Sequence, residues 1–176
     1  MKALREAGGQ QLKWIQRGWL NVSNELRSVT GVYAVLQRSA SRSLPHPAEG
    51  IAADGRWVIT GKRWFRGPLT VRPAGANRDI ATMEVSYRRI VIAFLDSRQF
   101  YWRRKHWWSN QWSLMDSSGL LLARAQVGLL RYSGTVDIQE RAMTLPELSI
   151  LLLAGWYFIV DFSATMNNKP NIGLWR

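Results

Sequence analysis

The chain has 176 residues, which is room for one compact domain at roughly 150 residues per domain and not for two independent cores. Its 24 Lys and Arg against 12 Asp and Glu give a formal charge of +12, which favours an anionic partner, while 47% hydrophobic residues exclude wholesale disorder. With no Cys and two His, His46 and His106, the composition excludes a disulfide framework, a thiolate zinc site and a Cys nucleophile.

Residues 1–11 sustain no hydrophobic period and are expected to be weakly ordered. Lys2 and Arg5 lead into Ala7-Gly8-Gly9-Gln10-Gln11 and not into an apolar run, so no export signal is read. The expected location is cytoplasmic, with peripheral contact at the membrane.

From Leu12 to Gln139 the apolar residues alternate or gather in short runs, the pattern of many strands. Turn signals at Thr30-Gly31, Asp54-Gly55, Gly67-Pro68, Asp96-Ser97, Ser118-Gly119 and Ser133-Gly134 cut the stretch into strand-sized pieces. Ser39 to Gly50 and Arg72 to Arg78 read as loops. Ile80 to Tyr87 alternates, with Ala81, Met83, Val85 and Tyr87 on one face and Thr82, Glu84 and Ser86 on the other, so one face should meet a core. Ile90 to Leu95 is apolar on both faces and is expected to lie between two apolar layers.

The texture changes at Thr144-Leu145-Pro146-Glu147, which has the spacing of a capping box with Pro in the first turn. Leu148 to Val160 is then apolar at nearly every position and has no polar face to give to water. At 1.5 Å per residue it spans about 20 Å, short of the ~30 Å hydrocarbon core of a bilayer, so the expected surroundings are protein. Only the strands are available to surround it. A sheet of about ten to twelve strands closes around a lumen too wide for its own side chains to fill, and a central helix fills it. The expected fold is therefore mainly β: an antiparallel, closed or nearly closed barrel of about 10–12 strands around a C-terminal hydrophobic helix. One barrel domain is expected over 12–163, with the helix over about 145–162 and a weakly ordered tail over 164–176.

Many strands followed by one apolar helix, together with Asp54-Gly55-Arg56-Trp57, Gly61-Lys62-Arg63-Trp64-Phe65-Arg66-Gly67, Phe100-Tyr101-Trp102 and Leu151-Leu152-Leu153-Ala154-Gly155-Trp156-Tyr157, resembles bacterial members of the tubby-like superfamily. That superfamily includes the LURP-one-related proteins and the phospholipid scramblases. The resemblance covers about Leu12 to Phe162 and implies a barrel around a helix. It carries over no site residue. The Cys-rich palmitoylation segment of the scramblases is missing, and the phosphoinositide-binding Lys and Arg of tubby are matched to no position.

Two windows lack acids. Between Asp54 and Asp79 stand Arg56, Lys62, Arg63, Arg66, Arg72 and Arg78, with Trp57 and Trp64 among them. From Arg98 to Met115 stand Arg98, Arg103, Arg104 and Lys105, interleaved with Tyr101, Trp102, Trp107, Trp108 and Trp112. Such a mixture suits an anionic membrane surface, where cations meet phosphates and Trp settles at headgroup level. It also suits single-stranded nucleic acid, though less well, and of the three readings it suits ordinary packing best, with Trp in the core and Arg on a solvated wall. The candidate anionic-surface residues are Lys62, Arg63, Arg66, Arg103, Arg104, Lys105, Trp107 and Trp108, with a turn expected at Arg104-Lys105.

Enzyme chemistry finds little support. The acids sit at expected turns and caps, no G-x-S-x-G or phosphate-loop spacing occurs, and His106 stands among cations that disfavour its charged form. No catalytic residue, cofactor or metal is expected. The expected function is a non-enzymatic module for anionic phospholipid surfaces, with a structural scaffold or single-strand nucleic-acid binding as alternatives.

Overall fold

The computed structural model describes residues 1–18, 21–39, 47–61, 67–86, 88–106, 109–128 and 133–167, with the backbone alone at 21, 22, 39 and 161–167. The strands are β1 (Leu12–Arg17), β2 (Asn21–Ser28), β3 (Gly31–Ser39), β4 (Ala48–Ala52), β5 (Gly55–Gly61), β6 (Leu69–Pro73), β7 (Ala81–Val85), β8 (Arg89–Phe94), β9 (Gln99–Arg104), β10 (Gln111–Asp116), β11 (Leu121–Val127) and β12 (Gly134–Ile138). The helix α1 follows at Leu148–Asn167. Each strand pairs antiparallel with its sequence neighbours, and β1 closes the barrel on β12 through Leu12↔Val136, Lys13↔Thr135 and Trp14↔Gly134.

Period-two alternation decides which side chains enter the lumen. On β7, Ala81 and Met83 are buried while Thr82 and Glu84 are exposed. On β9 and β10, Phe100, Trp102, Trp112 and Leu114 point inward. The six turn signals all fall at strand ends or between strands. Both expected loops are shorter than the sequence suggested: β4 is paired from Ala48 onward, and β6 continues through Arg72 to Pro73. Pro73 is tolerated because it ends its strand, where a missing N–H costs little.

α1 fills the lumen. Every residue from Leu148 to Val160 is buried. Trp156 stacks on Trp14 of β1 with centroids 5.2 Å apart, Phe158 meets Trp112 of β10 edge-on at 6.0 Å, and Trp102 of β9 donates its indole N–H to the Leu151 carbonyl at 2.9 Å. Leu153 lies against Gly50 of β4. Contacts with β1, β4, β9 and β10 place wall on every side of the helix, so its apolar circumference needs no water-facing stripe. Burial of each large side chain contributes on the order of 1.5–3 kcal/mol. Two positions where wall and helix meet admit no side chain: a Cβ at Gly134 of β12 would stand 2.7 Å from the Trp156 ring, and one at Gly155 of α1 would overlap the Trp102 ring.

Four expectations are corrected. The capping box does not form, because Glu140–Thr144 is a 3-10 turn in which the Thr144 hydroxyl donates to the Arg141 carbonyl at 3.1 Å. Glu147 turns instead to Arg98 in the β8–β9 turn, where its Oε1 accepts from the guanidinium at 2.5 Å, and α1 starts at Leu148. The helix also continues to Asn167, past the expected end at 162 and into the expected tail.

Residues 1–11 are better packed than the missing period suggested. Leu4–Ala7 form a 3-10 turn with Leu4 and Ala7 buried, the Lys2 N–H donates to Val32 at 2.9 Å, and the Gln10 side chain accepts from Ser28 at 2.7 Å. Two apolar contacts and a few backbone bonds dock this segment without needing periodicity.

Finally, β8 has one covered face and not two. Ile90 and Ile92 are buried, whereas Val91 and Ala93 are half-exposed on the outer wall and Leu95 is 59% exposed. Val91 is flanked by Glu84 and Tyr101 across the strands, so neighbouring side chains supply the cover that a second layer was expected to give.

Candidate anionic-surface site

Strand direction fixes where each basic residue goes. The mouth at which α1 begins, the lower mouth, holds the ends joined by the β2–β3, β4–β5, β6–β7, β8–β9 and β10–β11 connections. The upper mouth holds the ends joined by β1–β2, β3–β4, β5–β6, β7–β8, β9–β10 and β11–β12. β5 and β9 therefore run toward the same mouth, which brings the β5–β6 and β9–β10 connections, in the middle of each acid-free window, to one rim. Lys62, Arg63, Arg66, Trp107 and Trp108 themselves lie outside the described residues.

The windows do not travel as blocks. In the first, Arg56 is on the outer wall, ion-paired to Glu49 at 2.6 Å, and Arg78 is exposed at the lower mouth. In the second, Arg98 is also at the lower mouth, held by Asp96 at 2.6 Å and Glu147 at 2.5 Å. Asp96 and then Glu147 keep that guanidinium charged, well above its ordinary value. Arg103 points outward, cross-strand from Arg89 on one side and Ser113 on the other. Lys105 is exposed just past the end of β9, its backbone N–H donating to Gln111 at 3.3 Å.

Arg104 behaves differently from its neighbours. β9 extends through it, so the expected turn begins one residue later and strand parity sends its side chain toward the lumen side with Phe100 and Trp102. It is half-buried, with its guanidinium 5.8 Å from the Trp112 centroid and its Nε donating to the Ser109 carbonyl. Arg104 is thus a packing residue at the upper rim. Trp57, Trp102 and Trp112, the described tryptophans of the two windows, are likewise buried in the core.

Sequence reasoning missed the outer wall. Cross-strand register places Arg89, Arg103, Ser113 and Arg124 in one row across β8 to β11, with Asp137 of β12 next to Arg124. The alternation of Leu121–Val127 would have exposed Arg124 as outward-facing, but only the register shows it beside Ser113. Arg103, Lys105, Ser113 and Arg124 line a groove of about 600 Å³, whose other margin carries Asp137.

Two of the described acids, Asp96 and Asp116, close turns. The Arg98 side chain and backbone N–H hold the Asp96 carboxyl below its ordinary value. The Ser118 hydroxyl, followed by the Leu120 and Ser118 N–H groups, does the same for Asp116. Among the described residues no group of three or more His, Cys, Asp or Glu converges as a metal site would require. Nor is any helix among them long and apolar enough to cross a membrane. No protein-family model matches the chain, and neither a curated protein nor a solved structure matches it.

Proposed function

We propose that this chain is a non-enzymatic module that meets anionic phospholipid surfaces with the upper mouth of its barrel. The observation carrying this reading is the sorting of charge between the two mouths. The six upper connections, 18–20, 40–47, 62–68, 86–88, 105–110 and 128–133, contain seven Lys or Arg (Arg42, Lys62, Arg63, Arg66, Arg88, Lys105 and Arg131) and no Asp or Glu. They also contain Trp19, Trp64, Trp107 and Trp108. The lower connections and residues 1–11 balance Lys2, Arg5, Arg78, Arg98 and Arg141 against Glu6, Asp54, Asp79, Asp96, Glu140 and Glu147, with no Trp. Amino-acid identities and strand directions suffice for this count. Near an anionic leaflet each Lys or Arg contributes about 1 kcal/mol, so connections that carry seven Lys or Arg and no acid of their own favour the upper mouth as the face that meets the surface. Kinship with the tubby-like superfamily forms part of the same proposal, supported by the twelve-strand closed barrel around a C-terminal helix.

A scaffold role is favoured by a different observation: Trp14, Trp57, Trp102, Trp112 and Trp156 are all core residues, so half of the tryptophans are accounted for by packing. Base stacking needs exposed rings, and every described Trp is buried, which weakens the nucleic-acid reading. Flotation with phosphatidylcholine vesicles and with vesicles containing phosphatidylserine separates the readings. Salt-sensitive binding to the anionic vesicles alone is expected, with no retention of a single-stranded oligonucleotide at the same salt. Absence of vesicle binding at low salt would leave the scaffold reading.

A further inference from the structure

The geometry points to a subsite for a phosphate monoester on the outer wall of β9, β10 and β11, built from Arg103, Ser113 and Arg124. This deepens the anionic-surface reading and rests on it for orientation only. Arg103 is the cross-strand partner of Ser113, and Ser113 is the cross-strand partner of Arg124, so the two guanidinium stems rise about 10 Å apart on either side of one hydroxyl. The small side chain in the middle row leaves the trough that the flanking arginines overhang. Among the described residues none of the three side chains has an ion pair or hydrogen bond, and Ser113 is half-buried with its hydroxyl unspent.

Placing two arginines in one row without an acid between them is unfavourable for the empty wall. A ligand with three terminal oxygens and nearly two negative charges reverses that balance: the two guanidinium forks take two edges that share one oxygen, and the hydroxyl between them donates to that shared oxygen. A phosphodiester, with one charge and two free oxygens, leaves one fork unfilled. Asp137, across from Arg124, opposes a second anion on that side and so limits the trough to one phosphate. Arg89 stays outside, because its guanidinium sits over the Tyr101 ring at 4.9 Å. The row lies two residues below the Lys105–Gln111 rim, about 7 Å, which is within reach of a headgroup when the upper mouth faces a bilayer.

The monoester could come from a lipid headgroup or from a soluble metabolite, and the test distinguishes them. The parent chain, Arg124→Gln and Arg124→Lys are compared on vesicles containing phosphatidic acid, on vesicles of equal charge containing phosphatidylserine, and with glycerol 3-phosphate as a soluble competitor. Melting temperature and circular dichroism verify that the variants fold, as expected for an exposed side chain. The expected result is a preference for phosphatidic acid of about tenfold, lost in Arg124→Gln and also in Arg124→Lys, which keeps the charge but not the fork. Phosphatidylserine binding should fall in Arg124→Gln by about fivefold, one charge's worth, and should be kept in Arg124→Lys. Glycerol 3-phosphate binding without vesicle binding would support the subsite with a soluble source and overturn the membrane reading. Equal binding to both lipids, with the same loss in each on Arg124→Gln, would overturn the subsite and leave the membrane reading standing. Binding to none of the three would overturn both.

Discussion

The Trp102 indole rests on the α1 backbone at Gly155: its N–H donates to the Leu151 carbonyl at 2.9 Å, and a Cβ on Gly155 would overlap its ring. Leu151 and Gly155 are one helical turn apart, so the Trp102 ring reaches the helix backbone only because position 155 lacks a side chain. In an isolated helix Gly155→Ala would gain about 1 kcal/mol. Here Trp102 is 1% exposed and has nowhere to move, so overpacking of about 1–3 kcal/mol should exceed that gain. Urea unfolding is expected to show Gly155→Ala destabilised. In a Trp102→Leu background the same substitution should become neutral or stabilising, and additive effects in that double-mutant cycle would refute the contact as the cause.

Arg103 and Arg104 are adjacent in sequence and opposite in role. Arg104→Ala removes a guanidinium beside Trp112 and a bond to the Ser109 carbonyl, which together should cost on the order of 1–2 kcal/mol. Arg103→Ala should stay within about 0.5 kcal/mol, since its exposed side chain has no partner among the described residues. Thermal melts of the two single variants check this, and equal shifts would mean that the parity assigned to β9 is wrong.

Much of the architecture is legible in the sequence because its signals are local. Alternation in Ala81–Val85 needs no partner to be read, and a helix apolar on all sides dictates its own enclosure. What escaped depends on contacts distant along the chain. Glu147 reads as a cap only until Arg98, 49 residues away, takes its carboxylate. Val91 reads as doubly covered because sequence does not show that Glu84 and Tyr101 flank it. The candidate site was half visible for the same reason: clustering along the chain found Arg103 and Lys105, whereas Ser113 and Arg124 join them through register alone.

Asp116 gives the fold an acid-sensitive corner. Its Oδ1 accepts from the Ser118 hydroxyl at 2.6 Å and from the Ser118 and Leu120 N–H groups at 2.9 Å each, closing the β10–β11 turn. These bonds favour the carboxylate, so the folded-state pKa lies below the ordinary 3.8. The resulting stabilisation is fully present above 3.8 and is lost as the pH falls through the lower folded value. Asp116→Asn should therefore be less stable than the parent at pH 7, by about 1 kcal/mol, and the difference should shrink below that window. Urea midpoints at pH 7 and near pH 3 measure it, and a difference that does not change with pH would remove the carboxylate from the explanation.

The central claim is that charge acts through one mouth of the barrel and not through the whole surface. Two double variants with the same change in net charge test it most directly: Arg88→Glu with Lys105→Glu at the upper mouth, and Arg5→Glu with Arg78→Glu at the lower. All four side chains are exposed, so melting temperatures should barely move. Flotation on phosphatidylserine-containing vesicles should be lost in the upper pair and retained in the lower. Equal loss in both pairs would show that net charge alone drives binding, and retention in the upper pair would contradict the assignment of that mouth.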